Sequence, residues 1–176
     1  KELILENDFF AVLHLAAIVG DPACKLYTKE TKEINVQATL NLLELCNSNK
    51  VKKFIFASTC SNYGKMNDDK KFVDENSPLK PISLYAETKV EIENFILNNL
   101  DRNNYFSPTI LRFSTVYGLS KRMRFDLTVN EFARDAFYNK KLIIYGENFW
   151  RPYCHVNDFA AAFIKVLNAE KNIHYN

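Results

Sequence analysis

Apolar residues fall along this chain in short solid runs, separated by longer stretches in which they recur every three or four positions. The run Ala11-Val12-Leu13-His14-Leu15-Ala16-Ala17 is broken by one His and is too short for a buried helix. It predicts a strand over 11–17, covered on both faces. Ile34, Ala38, Leu42, Leu45 and Cys46 then follow helical spacing, predicting a helix over 31–48 that ends at Asn47-Ser48-Asn49. A second solid run, Phe54-Ile55-Phe56-Ala57-Ser58, predicts a buried strand opening into a polar loop. Pro78 and Pro81 exclude a regular helix before 83. The pattern next predicts a helix over 83–100, a strand over 108–113, a helix over 128–139, a strand over 142–145 closed by Gly146, and a helix over 159–167 capped by Asp158. The last residues, 173–176, read as the start of a further strand. Strands alternating with helices imply right-handed crossovers and a parallel sheet covered by helices, an α/β three-layer fold. In such sheets chemistry collects at the carboxyl ends of the strands, here Ala16-Ala17, Ser58-Thr59 and Ser114-Thr115.

Composition narrows the class. Of 176 residues 47% are hydrophobic and 25% charged, which places the chain among globular proteins and outside the disordered class. A net charge of +2 gives no footprint for nucleic acid, and no apolar run approaches a membrane span, so neither partner is expected. The N-terminus does not read as a signal peptide, and the four cysteines are far apart, which suits reduced thiols and a cytoplasmic location. Glycine is scarce, four residues that never cluster, so no phosphate-cradling loop is encoded.

One spacing carries chemistry: Tyr85-x-x-x-Lys89. Four residues apart on a helix, the two side chains share a face, and a neighbouring ammonium favours the phenolate, turning a phenol of ordinary pKa near ~10 into a general base. The spacing alone is weak, because a chain this rich in Tyr and Lys supplies about one by chance, and Tyr117-x-x-x-Lys121 is a second. Tyr85 is distinguished by opening a helix downstream of Thr59, a hydroxyl at the end of a buried strand and able to address the same substrate oxygen.

Several segments in register resemble one family. They are 11–17 with Gly20-Asp21-Pro22; Asn35 with Thr39-Leu40-Asn41-Leu42-Leu43-Glu44; the run from Phe54 through Ser58-Thr59-Cys60-Ser61-Asn62-Tyr63-Gly64; Asp74-Glu75-Asn76-Ser77-Pro78; Pro81-x-Ser83-x-Tyr85-Ala86-x-x-Lys89; Leu111-Arg112-Phe113-Ser114-Thr115-Val116-Tyr117-Gly118; and Arg151-Pro152-Tyr153-Cys154-His155-Val156-x-Asp158. Together they resemble the extended short-chain dehydrogenase/reductases, and more narrowly the NAD-dependent epimerase/dehydratase branch acting on nucleotide-sugars. The resemblance implies a Rossmann-like sheet lacking its first strands and glycine-rich loop, a partial NAD(P)-binding domain over 1–116, and the start of a substrate-binding lobe over 117–176 intertwined with the last Rossmann elements. Thr59, Tyr85 and Lys89 would be catalytic. Ala16, Ala17, Ser58, Phe113 and Ser114, with Tyr85 and Lys89, would border NAD or NADP. Cys60, Ser61, Thr115 and Arg151 would face the nucleotide-diphosphate sugar, Arg151 gripping the diphosphate. Asn35 would brace the strand beside the site, and His155 and Asp158 would be structural, with no metal. The helices 31–48 and 83–100 would form a homodimer.

Departures from the family pattern refine the expectation. The family's 4,6-dehydratases carry an Asp-Glu pair where this chain has Cys60 and Ser61, which argues against dehydration, and Thr115 stands where many members have Asn. The expected activity is a nucleotide-sugar epimerase passing through a transient keto-sugar, with a keto-sugar reductase or a non-catalytic scaffold as alternatives. The missing glycine loop marks the chain, on this reading, as a fragment inactive by itself, with a natural truncation that has lost catalysis as the alternative.

Overall fold

Residues 2–65, 72–100 and 105–170 are described by a computed structural model. Two compact units emerge. The first comprises the residues up to Arg112 together with those from Val166 onward, and the second spans Phe113–Lys165.

The first unit is built on a three-stranded sheet in the order β1 (Ala11–His14), β2 (Lys53–Thr59), β3 (Ser107–Phe113). β1 runs parallel to β2, with Ala11 opposite Lys53 and His14 opposite Phe56. Around it lie α1 (Glu2–Glu6), α2 (Asp21–Leu26), a helical stretch made of α3 (Thr28–Lys32), a π-helical turn (Glu33–Gln37) and α4 (Ala38–Ser48), and α5 (Leu84–Asn94), prolonged by a π-helical turn to Asn99. The strand alternation of β2 explains its central place. Phe54 and Phe56 point to one face and close a core with Leu43 and Cys46 of α4 and Ile92 of α5. Ile55, on the opposite face, is equally buried. Lys53 shares that second face, and its ammonium donates to the carbonyls of Val166 (3.1 Å) and Ala169 at the end of α7 (Val156–Asn168), a favoured use of a cation at a helix C-terminus.

The second unit holds a two-stranded parallel sheet, β4 (Thr115–Tyr117) with β5 (Tyr153–His155), the helix α6 (Thr128–Tyr138) and most of α7. Phe113 packs its ring against Phe159 and Phe163 of α7, at 4.2 and 5.2 Å between centroids. Gly118 is required here: at φ +122° a Cβ would stand 2.6 Å from the His155 ring.

The α/β architecture and parallel pairing agree with the sequence reading, and four details correct it. The strand expected over 142–145 does not form. A left-handed Lys140 and a turn at Gly146 bracket the segment, no strand pairs with it among the described residues, and Ile143 and Ile144 are each 58% exposed. β1 stops at His14 instead of running to Ala17, because the Asn35 amide captures the Ile18 backbone, and β1 is only partly covered, with Leu13 exposed. The last helix begins at Val156, not Phe159. His155 Nδ1 accepts from Asn157 N (3.3 Å), and Asp158 lies inside the first turn instead of capping it. The sheet β4–β5 was not foreseen. The expected strand at 173–176 lies outside the described residues.

Candidate active site

The site in the first unit starts from the end of β2. Thr59 is the last strand residue, 7% exposed, and its Oγ1 accepts from Ser61 N (3.2 Å), capping the 3-10 turn Cys60–Tyr63. That bond uses a lone pair and leaves the Thr59 O–H proton available to donate. Cys60 is partly buried and Ser61 exposed, so the two residues after Thr59 present a thiol and a hydroxyl. The turn ends at Gly64, whose φ of +67° and close approach to the Lys80 carbonyl admit no side chain, while Lys80 N donates to Asn62 O (2.9 Å). The segment leading to the next helix is thereby tied back onto the turn. Ser83 then caps α5, its Oγ accepting from Ala86 N (3.4 Å), and sets Tyr85 in the first turn.

Lys89 lies one turn further, 4% exposed. Its ammonium donates to Ala57 O (2.8 Å) on β2 and stands 4.5 Å from the Phe56 ring centroid and 5.8 Å from that of Tyr85. Burial lowers its pKa from 10.5 to about 8, and the Glu93 carboxylate, four residues on, opposes the shift. β1 contributes His14, whose Nε2 lies 2.9 Å from Thr39 Oγ1 and whose ring stacks on Phe56; burial, then the Lys89 charge, lowers its pKa to about 4, so the ring is neutral at pH 7. Beyond β1, Ala16 is exposed and Ala17 partly so, in a loop held by two Asn35 bonds to Ile18, N to Oδ1 at 2.8 Å and Nδ2 to O at 2.9 Å.

Thr59, Tyr85, Lys89, Ser58, Cys60 and Ser61 therefore all lie where β2 meets α5. Ser58 is engaged there: its hydroxyl donates to Glu93 and accepts from Asn62 Nδ2. The second unit carries Phe113, Ser114, Thr115 and Arg151. Pairing of β4 with β5 sets Thr115 opposite Tyr153, and Thr115 N donates to Pro152 O (3.2 Å), which brings the backbone of Thr115 close to that of exposed Arg151. Sequence reasoning passed over Glu93 and assigned no role to Arg112 or Asn62. A cation inside the apolar run 108–113 was the available signal, since such a charge calls for a buried counter-charge.

The profile of the NAD dependent epimerase/dehydratase family matches residues 1–176. The chain belongs to that family. It is 33% identical to the Bacillus subtilis protein named uncharacterized UDP-glucose epimerase YtcB, over 95% of this chain and 54% of that protein. It is 34% identical to a putative UDP-glucose 4-epimerase of Methanocaldococcus jannaschii, over 98% of this chain and 56% of that one. Among solved structures, UDP-glucuronic acid 4-epimerase from Bacillus cereus, in complex with UDP-glucuronic acid and NAD, superposes with a TM-score of 0.74 at 30% identity, covering 97% of this chain and 55% of its own. The chain thus spans about half the length of the relatives it matches. The family is NAD-dependent, and no helix among the described residues is long and apolar enough to cross a membrane.

Proposed function

We propose that the protein carrying these residues is an NAD-dependent nucleotide-sugar epimerase that inverts a ring carbinol, with C4 as the carbon. The observation that supports it is the buried Lys89 ammonium set between Tyr85 and the strand end that bears Thr59, with a thiol and a hydroxyl, not two carboxylates, at 60 and 61. Several relatives are named as 4-epimerases, and others as 4,6-dehydratases; the absence of carboxylates at 60 and 61 favours the former.

The residues present suit the nicotinamide half of the cofactor. Ala16 and Ala17 offer a small, accessible surface, and an ammonium that gives Ala57 one of its three N–H donors suits ribose hydroxyls. The sequence holds no glycine-rich loop for the pyrophosphate. When bound, the nicotinamide supplies the hydride acceptor and donor. The chain's own groups handle the proton. Tyr85 removes it from the sugar hydroxyl and returns it, Thr59 donates to the same oxygen, and Lys89 offsets the phenolate charge in a setting where little water screens it. Arg151 suits the diphosphate through its guanidinium fork. Two copies pair through the helices Thr28–Ser48 and Leu84–Asn99, which leave Ile34 and Leu97 exposed, 44% and 56%.

The test uses the full-length protein with UDP-glucose, UDP-glucuronic acid and UDP-N-acetylglucosamine. Proton NMR is expected to show the 4-epimer of one of them with no net change in nicotinamide absorbance, and Tyr85→Phe is expected to lower kcat by about 10²-fold or more. Stoichiometric loss of NADPH on a 4-keto nucleotide-sugar, with no epimer formed from the three substrates above, would assign a reductase, and equal turnover by Tyr85→Phe would end the catalytic reading.

A further inference from the structure

Behind the site lies a buried polar network that the proposed chemistry does not use. Glu93 is wholly buried on α5, one turn beyond Lys89. Its Oε1 accepts from Ser58 Oγ, from Asn62 Nδ2 (2.8 Å) and from Arg112 Nε (3.2 Å), and its Oε2 accepts from Arg112 Nε (3.0 Å) and Nη2 (2.7 Å). Arg112 in turn donates from Nη1 to Tyr63 OH (3.0 Å) and to Glu75 O (3.1 Å). One carboxylate therefore binds the end of β2, the 3-10 turn after it and β3 onto the helix that carries Tyr85 and Lys89, and Arg112 extends the tie to the segment at Glu75.

A buried ion pair is weak evidence of stability, because the desolvation of two charges offsets most of their attraction. Its value lies in geometry. The bidentate guanidinium fixes the carboxylate plane, and that plane fixes Ser58, the residue next to Thr59. Every bond in the network is directed, so a shift of α5 along β2 would break several at once. Apolar packing of Ile92 and Ile96 beside it tolerates small slides.

We propose that Glu93 is a positioning residue for the Tyr85–Lys89–Thr59 centre, holding the strand end with Thr59 in register with the catalytic helix. This rests on the catalytic reading above. Misplacement of reacting groups by about 1 Å lowers rates by about 10²-fold, which sets the expected effect.

The experiment compares Glu93→Gln, Glu93→Asp and the double variant Glu93→Gln/Arg112→Met in the full-length protein, below the unfolding transition of each. The double variant removes both charges, so it stays folded if the single one does not. Expected are a fall in kcat of about 100-fold with KM within threefold in the Gln variants, and partial recovery in Glu93→Asp. A second readout needs no turnover: the ε-methylene NMR signals of Lys89, shifted by the Phe56 ring beneath the ammonium, move in the Gln variants and recover in Glu93→Asp. A folded variant with kcat within threefold of the parent and unmoved Lys89 signals overturns the proposal, as does loss of the fold in both Gln variants, which would make Glu93 a stability residue alone. Moved signals in the Gln variants, when the parent itself turns over no substrate, would uphold the positioning and end the catalytic reading instead.

Discussion

Replacing Lys89 by Met separates the strain of the site from its chemistry. The unfolded chain keeps this proton up to pH 10.5, whereas the folded protein releases it near pH 8, because burial disfavours the charge. Between those values the unfolded state binds more protons, so stability rises with pH across that window. The full depression is worth about 3 kcal/mol at 1.36 kcal/mol per pKa unit, of which about 2.5 kcal/mol falls between pH 7 and pH 10. Met has similar length and no charge. It relieves that burden but loses the bond to Ala57 O, a charged hydrogen bond worth about 1.5–3 kcal/mol. At pH 7 the variant is therefore expected to equal or exceed the parent by up to about 1.5 kcal/mol. The decisive quantity is the difference between the two proteins, in which the other lysines cancel. Urea unfolding of full-length, cofactor-free parent and Lys89→Met at pH 7 and pH 10 is expected to show the parent gaining about 2.5 kcal/mol on the variant. A difference that stays constant within about 0.5 kcal/mol would mean that Lys89 carries no burial penalty, and the argument that its charge is held poorly screened beside Tyr85 would fail with it.

Two further outcomes follow from the same unit. Gly64→Ala forces a Cβ to within 1.8 Å of the Lys80 carbonyl at a φ of +67° and is expected to destabilise by about 3 kcal/mol in urea titration, a loss below about 1 kcal/mol being incompatible with this turn. His14 has its pKa lowered to about 4, so the unfolded chain takes up its proton first as pH falls from about 6.5. The stability it contributes is complete above that value and is lost toward pH 4. Relative to His14→Gln, the parent is expected to lose about 2 kcal/mol over that window, and parallel acid-unfolding curves would contradict it.

How much of the fold can be read locally depends on which forces act within a few residues. The run at 54–57 is legible because β2 is covered on both faces, so its positions are apolar on either side and the pattern is solid. The run at 142–145 carries the same signature and forms no strand, since apolar character records a preference for burial and does not supply a hydrogen-bonding partner. β4 and β5 err in the other direction: three residues each is too short for a period to register, and what defines them is their pairing across 35 or more positions. β1 ends early for a similar reason, because the Asn35 side chain, distant in sequence, supplies the bonds that a strand neighbour would have given Ile18.

The same division runs through the site. Tyr85 and Lys89 are legible because their relation is one helical turn, a spacing the backbone imposes wherever a helix forms. Glu93 repeats that spacing from Lys89, yet on the sequence it is indistinguishable from Glu87, which the fold leaves exposed on the same helix. What selects Glu93 for burial is the arrival of Ser58 from 35 residues away and Arg112 from 19, and neither distance leaves a periodic trace. Arg112 leaves a trace of another kind. The one charge in 108–113, it can leave water only with a counter-charge, and of the carboxylates on α5 the one that meets it is the one that also holds Ser58. A charge in a half-buried strand thus points to the support of the proposed centre even where the supporting residue itself looks ordinary.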